Sequence, residues 1–112
     1  AALAAELGAD SVPTDATDPA AVEAAVAFVV ERHGRLDAAA NCVGSILLKP
    51  AHLTSPEEFA RTISLNLGTA FNLVRSAAKV MVRQGAGSIA LVSSVAAQRG
   101  LVSHEAIAAA KA

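Results

Sequence analysis

GSIALVSSVAAQRGLVSHEAIAAAK, residues 87–111, is the stretch on which the reading of this chain turns. Gly87-Ser88 opens a short apolar run, Ile89-Ala90-Leu91-Val92, the pattern of a buried strand. Two hydroxyls, Ser93 and Ser94, close it. A loop containing Gly100 follows, then a helix-like segment, HEAIAAAKA from His104, that presents Lys111. In open α/β sheets ligands bind at the carboxyl ends of strands, so hydroxyls placed there are candidates for chemistry. Alternate residues of a strand point opposite ways, which puts Ser93 on the face away from Ser94.

Upstream, the pattern is one of strands alternating with helices. Ser55-Pro56-Glu57-Glu58 has a serine cap, proline at the first helical position and Glu58 at the capping-box position. It starts a helix that runs to the Gln84-Gly85-Ala86-Gly87 break, long enough to suggest a bend near Gly68. Before it, Leu36–Val43 is a strand candidate ending at Gly44, and Ser45–Thr54 is a loop. Asp18-Pro19 caps a helix over Ala20–Arg32, with Val22, Val26, Val29 and Val30 at helical spacing and Gly34 at its end. Ser11–Thr14 reads as a short strand, placed at a sheet edge or strand end by Pro13. Ala1–Leu7 carries strong helix formers, with Gly8 as its C-cap. This order predicts βαβ units, a parallel sheet and a single α/β domain over residues 1–112.

With 112 residues, 54% of them hydrophobic, the chain has ample material for a core. Net charge is −1 and the basic residues are scattered, which argues against a nucleic-acid or acidic-membrane partner. No apolar run approaches the ~18 residues of a membrane span, and no signal peptide is visible. The single cysteine, Cys42, allows no internal disulfide or Cys-based zinc site, and no metal site is expected. It fits a reducing compartment, and cytoplasmic residence is the expectation.

Several elements, taken in order, carry a resemblance: Asp15-Ala16, Asn41-Cys42-Val43-Gly44, Asn66 within Leu65-Asn66-Leu67-Gly68, Ser94, and Lys111 after three alanines. The chain resembles the middle of a short-chain dehydrogenase/reductase. That resemblance implies a Rossmann-like, doubly wound parallel sheet, here lacking the first βαβ unit and the C-terminal part. It also implies an NAD- or NADP-dependent oxidoreductase acting on an alcohol/carbonyl pair, and a homodimer or homotetramer for a complete chain.

By the same resemblance, Asp15 and Ala16 correspond to the adenine contact. Asn41, Cys42, Val43 and Gly44 match a family Asn-Asn-Ala-Gly that runs beside the cofactor. Asn66, Ser94 and Lys111 match three members of the catalytic tetrad: a water-holding amide, a donor to the substrate oxygen, and a lysine that binds the nicotinamide ribose. Read without the resemblance, Asp15 shapes a turn, Gly44 ends a strand, Asn66 satisfies nearby backbone, the serines cap a strand end and Lys111 is a surface lysine.

One departure governs the rest. Ile107 stands where the family has the tyrosine that delivers a proton to the oxygen, and the chain contains no tyrosine. His104, seven residues before Lys111, is a candidate substitute because it titrates near neutrality and shares a helical face with Lys111. Also absent are the glycine-rich phosphate turn, the residue that separates NAD from NADP, and the helices of the substrate lid. In the doubly wound order the strands at Ser11–Thr14 and Leu36–Val43 are not neighbours, so an internal segment of a longer chain is expected. Two competing readings are a catalytically silent cofactor-binding homologue, acting as a regulator or subunit, and a truncated product with no function.

Overall fold

A computed structural model describes residues 2–112. Its elements are α1 (Ala2–Glu6), α2 (Pro19–His33), β1 (Ala38–Asn41), α3 (Pro56–Ile63), α4 (Thr69–Gln84), β2 (Ser88–Leu91), α5 (Val95–Arg99) and α6 (Glu105–Lys111). β1 and β2 pair in parallel, Ala38 beside Ser88 through Asn41 beside Leu91, with α3 and α4 as the crossover. This is the expected βαβ unit. A parallel pair needs such a connection because the chain must return to the same end of the sheet.

The local chemistry follows the sequence closely where caps are strong. Asp18 accepts from the Ala20 amide and Pro19 opens α2, while Gly34 closes it at φ 77°. Ser55 and Glu58 form a reciprocal capping box at the start of α3, and Lys49 donates to both Glu58 oxygens at 2.9 and 2.8 Å. The Lys49 ammonium, ahead of the Ser55 amide, holds the Glu58 carboxyl below its ordinary range. The core forms where α2 and α4 meet the sheet: Val26, Leu36, Ala77 and Met81, with Val29, Val30, Val80 and Ile89 packed against them. Gln84 clasps Leu36 with both ends of its amide, accepting from Leu36 N at 2.8 Å and donating to Leu36 O at 2.9 Å. The C-terminus of α4 is thereby tied to the entry of β1.

Several expectations are corrected. Ser11–Thr14 forms no strand: the described strands pair only with each other, and an extended segment without a ladder partner is not one. The strand expected over Leu36–Val43 is confined to Ala38–Asn41, and that over Ser88–Val92 to Ser88–Leu91, each ending where pairing ends. The loop at Ser45–Thr54 contains a 3-10 turn, Ala51–Leu53. The loop after Ser94 is mostly helix α5, capped by Ser94 itself. The first helix is Ala2–Glu6, and Ala1 lies outside the described residues. The bend expected near Gly68 is a π turn, Ser64–Gly68, that joins α3 to α4. A π turn inserts an extra residue into the helix and is often found at functional sites.

Candidate functional site

The carboxyl ends of β1 and β2 run into two loops that, with α6 and the π turn, enclose an open cleft. Asn66, Ser94, Ile107 and Lys111 all line it, together with Cys42, Gly44 and Ser93. Residues spread over seventy positions of sequence are thus brought to one place by the parallel pair and its crossover.

Lys111 ends α6, and its Nζ donates to the Val92 carbonyl at 3.0 Å. Ser93 Oγ donates to the Lys111 carbonyl at 2.8 Å, so the end of β2 and the end of α6 are pinned to each other twice. Ser93 therefore lines the cleft instead of facing away: the ladder stops at Leu91, and strand alternation no longer applies beyond it. Ser94 caps α5, its Oγ accepting from the Ala96 amide at 3.2 Å. A hydroxyl that accepts there keeps its own proton to donate. Ile107, one turn before Lys111 and 4% exposed, sets a hydrocarbon wall between these polar groups. His104 is the N-cap residue of α6 and not part of it. Its ring nitrogen lies 2.7 Å from the Val102 carbonyl, and it is not among the cleft's lining residues.

Asn66 is 2% exposed, in the π turn. Its Nδ2 donates to the Thr62 carbonyl at 2.9 Å and to Ser45 Oγ at 3.1 Å, and its Oδ1 accepts from the Ser45 amide at 3.1 Å. Both N–H donors of the amide are taken by protein groups and its oxygen accepts one bond, which fixes the Gly44–Ser45 turn at the cleft. A Cβ on Gly44 would lie 2.8 Å from Asn66 Oδ1 and 3.2 Å from Lys111 Nζ. Glycine is what lets both side chains close on the backbone there. Gly44→Ala is expected to push Asn66 off Ser45 and cost about 1–3 kcal/mol. Denaturant unfolding measures it, and an unchanged midpoint would contradict the close approach.

At the end of β1, Cys42 and Gly44 line the cleft, whereas Asn41 and Val43 line a second groove. Ala16 lines that groove too. Asp15 turns its carboxylate to Thr17, accepting from its amide at 2.9 Å and its hydroxyl at 2.7 Å. The Thr17 hydroxyl, ahead of the amide, lowers the carboxyl below its ordinary range. Asn41 Nδ2 donates to Thr69 Oγ1 at 3.1 Å, joining the end of β1 to α4. Three residues of this framework escaped the sequence reading: Ser45, Thr69 and Asn72. For Thr69 and Asn72 the signal was available, since polar residues at 66, 69 and 72 fall at helical spacing inside an otherwise core-facing stripe. Among the described residues no cluster of His, Cys, Asp or Glu could hold a metal, and no helix is long and apolar enough to cross a membrane.

Comparison with known proteins gives this geometry a context. A family model described as Enoyl-(Acyl carrier protein) reductase matches residues 1–112. The chain is 35% identical to the D-threitol dehydrogenase of Mycolicibacterium smegmatis over 115 residues, covering 98% of this chain and 44% of that protein. A short-chain type dehydrogenase/reductase from Mycobacterium ulcerans superposes with a TM-score of 0.85 at 33% identity, over 89% of this chain and 37% of that one. A metagenomic short-chain oxidoreductase in complex with NADP gives a TM-score of 0.82 at 30% identity, over 92% and 46%. The chain spans less than half the length of each of these relatives.

Proposed function

The chain belongs to the short-chain dehydrogenase/reductase family, and on that premise we propose that the protein carrying it is an NAD(P)-dependent oxidoreductase of small alcohols or carbonyls. The observation that carries the reading is the convergence of Asn66, Ser94, Ile107 and Lys111 on one cleft at the carboxyl ends of two parallel strands. The 112 residues act in it as one partial Rossmann domain.

The residues present fit a nicotinamide nucleotide. The cradle at Gly44, which a Cβ would fill, offers close backbone approach with the Lys111 amine beside it. Lys111 would hold the ribose hydroxyls, Cys42 and Gly44 the cleft side of the cofactor, and Asp15, Ala16, Asn41 and Val43 its adenine end. When bound, the nicotinamide supplies or accepts the hydride. Ser94 Oγ–H orients the substrate oxygen by donating to it. Ile107 has no proton to give, and the Lys111 ammonium, on the same face of α6 one turn on, is the charged donor of the cleft left to serve the oxygen. Asn66 keeps the cleft floor in place through Ser45.

Leu67 and Phe71 stand exposed on the outer face of the π turn and α4, Phe71 at 63%. Exposed large apolar groups on one face support a homodimer or homotetramer. Residence in the cytoplasm completes the reading and draws on the free, exposed Cys42.

The natural polypeptide should bind NAD or NADP in calorimetric titration and turn over members of an alcohol and carbonyl panel, followed by nicotinamide absorbance. Failure to bind either dinucleotide sinks the reading. Binding without turnover would replace it by that of a silent homologue.

A further inference from the structure

The long helix turns a line of polar side chains inward. Asn66, Thr69, Asn72 and Ser76 follow one another at three, three and four residues, the spacing of a helix face, and all four are buried. Contacts between a helix, its neighbour and a sheet are ordinarily aliphatic, because a buried amide without partners is destabilising. Each buried amide on this line therefore has a destination. Asn66 reaches the Ser45 turn, and Thr69 receives Asn41.

Asn72 reaches furthest in sequence. Its Nδ2 donates to the carbonyl of Ala16 at 3.0 Å and to that of Thr17 at 3.4 Å. Within that turn Asp15 accepts from Thr17, which shapes the turn but does not attach it to the body of the protein. Among the described residues, the Asn72 bonds are the hydrogen bonds that join the Ala16–Thr17 backbone to α4. Thr14, Ala16, Asn41, Val43 and Thr69 line one groove, which also runs along β1 past Ala39 and Ala40 and against Val22 and Val26 of α2. Its Asn41–Val43 bank lies at the carboxyl end of β1, where open α/β sheets take nucleotides. The same helix face thus ties two of its walls: Thr69 receives Asn41, and Asn72 donates to the carbonyls of the Ala16–Thr17 turn.

We propose that Asn72 is a positioning residue for the adenine half of the dinucleotide, setting the turn at Ala16–Thr17 against the Asn41–Val43 bank. The inference rests on the cofactor reading given above. It separates from a purely structural tie because the two halves of the cofactor respond differently. Loss of the amide leaves the Gly44–Lys111 end untouched, since Asn66, Ser45 and Val92 hold that end without it.

The test compares the natural polypeptide with its Asn72→Ala and Asn72→Ser variants, titrated with ADP-ribose, nicotinamide mononucleotide and the whole dinucleotide. Asn72→Ala should weaken ADP-ribose binding by about tenfold, the scale of one or two hydrogen bonds. KM for the dinucleotide should rise in step, while kcat at saturation and affinity for nicotinamide mononucleotide stay within about twofold. Asn72→Ser, which keeps a donor on a shorter arm, should fall between, and carries the test alone if the alanine variant does not fold. Unchanged ADP-ribose affinity, or an equal loss at both halves, overturns the proposal. Wild-type protein that binds neither NAD nor NADP defeats the cofactor reading itself, whereas wild-type binding with unaffected Asn72 variants defeats only the role of Asn72.

Discussion

Ile107→Tyr should raise kcat for carbonyl reduction by about 10²–10⁴-fold, the usual contribution of a positioned acid or base. The position is already built for it. Ile107 sits one turn before Lys111 on α6 and lines the same cleft as Ser94. A phenol there would lie among a hydroxyl that donates and an ammonium that stabilises its anion. The larger ring enters a site whose present occupant is 4% exposed, so overpacking of about 1–3 kcal/mol is expected and should appear as a lower thermal midpoint. The measurement is kcat at saturating NADH or NADPH across pH, for the wild type and the variant. The variant's pH profile should differ from that of the wild type by the titration of the added phenol. Turnover unchanged by the phenol, with cofactor affinity intact, would mean that the proton reaches the oxygen by a path that position 107 does not touch.

The largest effect on stability is expected from Gly87→Ala. Gly87 has φ 158° just before β2, and a Cβ there would lie 2.8 Å from Met81 Cβ, with Met81 Cγ and Sδ closer still. Met81 belongs to the core cluster with Val26, Leu36 and Ala77, so it cannot swing away without opening that cluster. Either the core or the start of β2 must shift, at about 2–4 kcal/mol for overpacking and backbone strain together. In a domain of this size that lowers the melting temperature by about 10 °C or more. Gly85→Ala is the control. Gly85 has φ 73° but open space where its Cβ would be, so only the left-handed backbone is penalised, by about 1–2 kcal/mol. Equal losses for the two variants would rule out the clash with Met81 as the cause.

How much of this was legible depended on how local the determinant is. α2 could be read nearly to the residue at both ends, and α3 at its start, because those limits are set by side chains next to them: Asp18 and Gly34, Ser55 and Glu58. Strand limits were overestimated because they depend on pairing with a distant segment, and Ser11–Thr14 has strand-like residues but no described partner. α5 was missed because five residues, Val95–Arg99, carry too little periodicity to mark a helix, and because its cap, Ser94, had been read as a catalytic hydroxyl or the cap of a strand end. The candidate site was legible as a set of types at family spacing, and the structure gathers Asn66, Ser94, Ile107 and Lys111 at one cleft. What the residue types could not reveal is how they are braced. The bonds of Asn66 to Ser45, and the reach of Asn72 to Ala16, exist only between segments far apart in the chain.

The π turn at Ser64–Gly68 also determines which changes of length the helix tolerates. Its extra residue is taken up in a wider turn, so the segments before and after it keep nearly the phase of a continuous α-helix. Removing one residue within 64–68 would let the helix run through with Thr69, Asn72, Ala77 and Met81 still turned to the partners they have now. Removing one residue from α4 itself has no such slack to draw on, and would turn everything beyond the cut by about 100°. Length can be lost at the turn and nowhere after it.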